Sequence, residues 1–178
     1  MTVASLDIPR PFSAYLAGLR LGPRDWPVAA KAIIAAVVGV TAFILILDGL
    51  VFRRSLPAEY VSFYTGPLLP RTVKMCVSAA LEEVEFRLVL MTGLVMAMSL
   101  VRRPLQPTAF VAAILISQFI NVGGLVIAFP LYAALRFWAV GSVWGYLYWR
   151  HGWLAALIGH ASCHLLLDPL LAFVLIHG

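Results

Sequence analysis

Apolar residues run along this chain in long blocks separated by short polar breaks. The first block, Val28 to Phe52, begins after Pro27 and stops at Arg53 and Arg54. The second extends from Thr72 to Leu100 and is closed by Arg102 and Arg103, and three more follow: Thr108 to Leu131, Ala133 to Trp149, and Trp153 to Ile176. A helix that crosses the hydrocarbon core needs roughly 20 predominantly apolar residues. The pattern therefore predicts an all-α fold, a polytopic membrane helix bundle of about five transmembrane helices. Residues 28–178 form one transmembrane domain, and the polar segment 1–27 ahead of it suits the membrane interface.

The breaks carry their own information. Between Arg53 and Arg71, Pro57, Gly66, Pro67 and Pro70 disfavour a continuous helix, which fits an interfacial or re-entrant segment. The Gly123–Gly124 pair is a place for the third helix to loosen or kink. Gly141 and Gly145 have the small-xxx-small spacing that lets helices approach closely. Arg150, His151 and Gly152 read as a tight turn, and Trp26, Tyr60, Tyr64, Tyr148, Trp149 and Trp153 flank the blocks as interface anchors.

Composition agrees with this pattern and narrows the class. The chain is 62% apolar and 12% charged, against roughly 45–50% and 25% in soluble domains. An ordinary soluble globule, a disordered chain and a nucleic-acid module are all excluded. The net charge of +5 comes from Arg and Lys between the blocks, so it bears on topology and on the lipid bilayer, with no nucleic acid as partner. By a small margin it places the N-terminal segment, the Arg102/Arg103 loop and the Arg150 turn in the cytoplasm, since the segment from Arg53 to Lys74 holds four positive charges on the other side. Cys76 and Cys163 lie inside apolar blocks without metal-type spacing, and no cleaved signal peptide is predicted.

Against this background the intramembrane polar residues stand out, because each costs several kcal/mol unless it is paired or faces a polar cavity. Glu82, Glu83, Glu85 and Arg87 fall within six residues of the second block. At 100° per residue, Glu83 and Arg87 share a face and can pair, which leaves Glu82 available for chemistry and Glu85 facing a polar crevice. In the last block His160, His164 and Asp168 follow one another at one-turn intervals, a ladder suited to orienting an imidazole. Asp48 lies near the end of its block, within reach of headgroups. Counted at about 1.5 Å per residue, Glu82, Asn121 and His160 fall at similar depths and can line one cavity. A carboxylate and an imidazole sharing water in such a site describe a water-activating hydrolase. The same residues also leave open a metal held by His160, His164 and a glutamate, although no His-Glu-x-x-His run is present.

Glu82-Glu83-Val84-Glu85-Phe86-Arg87 resembles the Glu-Glu-x-x-x-Arg motif of the CAAX-protease and bacteriocin-processing (CPBP, Abi-type) family of glutamic intramembrane proteases. The stretch from Gly145 to His160 looks like that family's approach to its last motif, His-x-x-x-Asn. The likeness covers about residues 72–168. It implies a metal-independent, cofactor-free intramembrane endopeptidase of the cell inner membrane. Its substrate would be a membrane-anchored peptide or protein, cut at a C-terminal tail or a leader, and a myxosortase-like sorting-signal role would suit a chain this short. Carried over residue by residue, the resemblance makes Glu82 the water-activating carboxylate, Glu83 and Arg87 its motif companions and His160 an oxyanion donor. Two positions depart from the family. Asn121, in Ser117-Gln118-Phe119-Ile120-Asn121, stands where the family's middle motif has His, and His164 stands where the last motif has Asn. An Asn cannot act as a base. Two alternatives follow: a non-catalytic membrane immunity or binding protein with the same fold, and a zinc-dependent membrane hydrolase.

Overall fold

In the computed structural model, residues 20–101, 105–128 and 130–177 are described. The first 19 residues of the interfacial segment, and the Arg102/Arg103 loop, lie outside them. Each apolar block became one helix. They are α1 (Trp26–Val51), α3 (Leu68–Val101), α4 (Pro107–Ala128), α5 (130–151) and α6 (Trp153–His177), and the proline-rich stretch between the first two blocks adds a short helix, α2 (Ala58–Thr65). There is no strand among the described residues. Among the described residues three helices, α1, α3 and α6, are long and apolar enough to cross a membrane, and Pro107–Gly123 of α4 is a shorter apolar helix. The chain is an all-α membrane helix bundle.

Local chemistry sets the boundaries. Asp25 caps α1, its carboxylate accepting from Val28 N at 3.1 Å, with Pro27 in the first turn where a missing N–H is harmless. Pro57 and Pro67 stand immediately before α2 and α3. α3 starts earlier than the apolar pattern suggests, because Pro70 sits in its first turn and does not break it. The third block was expected to run to Leu131, but Pro130 opens α5 instead. α4 continues through Gly123 and Gly124 to Ala128 without a break in its helical backbone, so the expected loosening is not seen.

α6 is the central element, packed against α1, α3 and α5. Gly152 turns α5 into α6 with φ +98°, and a Cβ there would come within 2.9 Å of the carbonyl oxygens of Arg20 and Gly22. Those strap residues cover the start of α6, with Trp153 N donating to Arg20 O and Leu154 N to Leu21 O, both at 2.8 Å. Two of the N–H groups that a helix leaves without internal partners are thereby satisfied. The close helix contact that the Gly141/Gly145 spacing permits is made with α4: Gly145 faces Ile114, and Gly141 lies directly against the Gln118 side chain. Large apolar side chains such as Ile34, Val77, Leu81, Val89, Leu165 and Phe173 point outward, where lipid tails replace a protein partner. Six charged side chains are buried among the described residues, Asp48, Arg71, Glu83, Arg87, Arg136 and Asp168.

Candidate active site

The polar centre is built on an irregularity of α3. From Glu83 to Met91 the backbone widens to π-type turns, with Thr92 N bonding back to Arg87 O. Side chains add bonds to two carbonyls of this stretch: Trp153 Nε1 donates to Glu83 O at 3.1 Å and Thr92 Oγ1 to Arg87 O at 3.1 Å. Glu83 and Arg87 face the interior, 0% and 1% exposed, with Arg87 Nε 3.5 Å from Glu83 Oε1. The predicted one-turn pair is therefore present.

This pair belongs to a chain of contacts running through four helices. Arg87 Nη2 donates to Gln118 Oε1 of α4 at 2.9 Å and to Gly141 O of α5 at 2.8 Å, and Gln118 Nε2 donates to Phe137 O at 3.3 Å. On the other side Glu83 Oε1 lies 2.9 Å from His160 Nδ1 of α6. A carboxylate paired with an arginine can only accept, so His160 donates from Nδ1. Trp144 stacks on the imidazole with centroids 5.3 Å apart and planes at 16°, and the His164 ring stands 5.1 Å away. The ring plane of His160 and the direction of its Nδ1–H are both set by neighbours. Glu83 Oε2 and Arg87 Nη1 are buried without a partner among the described residues, so each retains bonding capacity.

Beside this chain lies a cavity of about 260 Å³. Glu82, Arg87, Asn121, His160 and His164 all line it, together with Gln118, Trp144, Tyr60 and Arg136. Five of the six residues singled out from sequence thus share one cavity, and the sixth, Glu83, stands behind His160. Glu82 is half-buried and makes no hydrogen bond or ion pair with any described residue, whereas Glu85 is exposed. A half-buried carboxylate with no ion-pair partner among the described residues, beside an oriented imidazole and an amide, is an arrangement able to take a proton from water next to donors for an oxyanion. As for a metal, no group of three His, Cys, Asp or Glu side chains among the described residues comes together to hold one.

Several expectations are corrected. Asp168 does not continue a histidine ladder: its Oδ1 accepts from Arg71 Nε at 2.7 Å, and Thr72 Oγ1 donates to Oδ2. Arg71 also caps the end of α2 through Nη1, which donates to Tyr64 O at 2.9 Å and Gly66 O at 2.6 Å. Asp48 does not reach headgroups. It is fully buried and accepts from Tyr60 OH at 2.6 Å, Tyr132 OH at 3.1 Å and Arg136 Nε at 3.0 Å. Tyr60, Tyr64 and Tyr148 accordingly turn into the protein, where Tyr148 OH lies 2.7 Å from Thr92 Oγ1, and are not interface anchors. Reading by spacing also passes over Gln118 as a ligand of Arg87, and over Arg136. The latter has a plain signal, being a lone cation inside the apolar block 133–149, the same scarcity that picks out Glu82.

Compared with protein-family models, curated proteins and solved structures, the chain has no match in any of the three.

Proposed function

We propose that this protein is a metal-independent intramembrane endopeptidase of the glutamic, CAAX-processing and bacteriocin-processing type, embedded as a multi-pass protein in the cell inner membrane. The observation that carries the reading is the Glu82 carboxylate, without a partner among the described residues, in the same cavity as His160, His164 and Asn121. In this mechanism Glu82 removes a proton from water as the water oxygen attacks a peptide carbonyl. His160, with His164 and Asn121 beside it, stabilises the oxyanion of the tetrahedral intermediate. Collapse breaks the C–N bond, and the proton held by Glu82 passes to the leaving amine. Glu83 and Arg87 position His160 and take no part in proton transfer.

The test compares membrane-anchored peptides in cells carrying wild-type protein, Glu82→Gln or His160→Ala. Both variants insert and accumulate normally, and substrate processing falls by at least about a hundredfold, as loss of a general base or of an oxyanion donor requires. Processing unchanged in both would sink the mechanism. The presence of Asn121 on the cavity wall favours one second reading, a non-catalytic binding or immunity protein whose site has lost its base. On that reading wild-type protein processes nothing, and Asn121→His creates activity.

A further inference from the structure

Arg136 is a buried cation that the proposed chemistry does not use. It sits on the π-type stretch of α5 from Ala134 to Ala139 and lines the cavity that also holds Glu82 and His164. Its Nε is engaged by Asp48 Oδ2 at 3.0 Å, and the Tyr60 and Tyr132 hydroxyls take two more of the roughly four acceptor sites of that carboxylate. Neither terminal guanidinium nitrogen makes a hydrogen bond to a described residue. A side chain only 7% exposed therefore presents two uncommitted nitrogens, carrying four N–H groups in a planar fork, at the cavity wall. On the same wall of α5, two turns further on, Trp144 stacks over His160. Arginine and the proposed hydrolytic residues thus border the same cavity from different ends of one helix face.

From this placement we propose that Arg136 is a substrate-recognition residue whose free edge binds a carboxylate of the substrate, either the chain's own C-terminus or an acidic side chain. A planar guanidinium takes a carboxylate in two parallel N–H···O bonds, and the fit is strongest where water is excluded. Asp48 and its two tyrosines fix the orientation of the fork without consuming it. The inference rests on the endopeptidase reading in that the ligand is part of the substrate to be cut.

The experiment measures binding and cleavage separately on the full chain in lipid nanodiscs. The probe is a fluorescent single-span peptide with a neutral tail, made as the free acid, as the C-terminal amide, and as the amide with one tail residue replaced by glutamate. Binding is read on Glu82→Gln protein. The expected result is about ten- to a hundredfold tighter binding of the free acid than of the amide. If the glutamate peptide binds as tightly as the acid, an acidic side chain also serves as the source, and if it binds like the plain amide, the source is the chain end. Adding Asp48→Asn/Arg136→Gln, which removes both charges together, abolishes the discrimination, whereas Arg136→Lys keeps part of it. Equal binding of all three peptides, or discrimination that survives Arg136→Gln, overturns the proposal. The two readings fail separately. Cleavage by wild-type protein with no carboxylate preference refutes only the Arg136 subsite, and carboxylate-dependent binding without cleavage refutes only the endopeptidase.

Discussion

At Gly141 two requirements meet in one residue. Its carbonyl accepts from Arg87 Nη2 at 2.8 Å, and its missing side chain leaves the room taken by Gln118. A methyl group at this position would collide with the Gln118 carboxamide, which is itself bonded to Arg87. Gly141→Ala is expected to destabilise the protein by about 1–3 kcal/mol, the usual cost of overpacking, and to loosen the hold on Arg87. Gln118→Ala in the same chain recovers most of that loss, and a double-mutant cycle of thermal unfolding in detergent measures it. Which site residues were legible in the sequence follows from separation along the chain. Glu83 and Arg87 are one turn apart, so helical periodicity sufficed. Asp48 and Arg136 are 88 residues apart, and Arg71 and Asp168 are 97 apart. No spacing rule pairs such residues, and Asp168 was given a neighbour in its own helix because only local geometry can be read from a sequence.

The helices were legible because lipid leaves the backbone few choices: apolar stretches of spanning length must satisfy their own N–H and C=O groups. Their irregularities were not. Among the described residues three π-type stretches occur, at Leu47–Val51, Glu83–Met91 and Ala134–Ala139, and each carries a buried charge: Asp48, the Glu83–Arg87 pair and Arg136. Widened turns of this kind concentrate at functional sites in proteins generally, and here they aim charged side chains at an interior that regular helices would fill with apolar ones. The α5–α6 turn is another such element. At Gly152, φ +98° disfavours any side chain, and a Cβ would press on the Arg20–Gly22 strap. Gly152→Ala is expected to cost about 1–2 kcal/mol or more. Hydrogen exchange should show earlier loss of protection at Trp153 and Leu154 than elsewhere in α6.

Across the whole molecule the helices alternate in direction, which groups the connections on two sides. The strap at Arg20 meets the Arg150 turn, and Phe110 near the start of α4 stacks on Trp149 near the end of α5 with centroids 5.2 Å apart. The N-terminal strap, the start of α4 and the α5–α6 turn therefore share one side, and α2 lies at the opposite ends of α1 and α3. Single cysteines at Gln106 and Arg150 should react with a membrane-impermeant maleimide from the same side of sealed vesicles, and one at Glu59 from the other. Labelling of all three from one side would contradict the arrangement. The central place of α6 also orders assembly in time. Arg71 meets Asp168, and Glu83 meets His160, only once residues from 153 onward have been made and have packed. A copy interrupted before that point holds an arginine shaped for burial with no counter-charge, in surroundings where unpaired charge is costly. Unfinished chains thus differ from finished ones in charge balance as well as length, and the last helix acts as the latch that completes both.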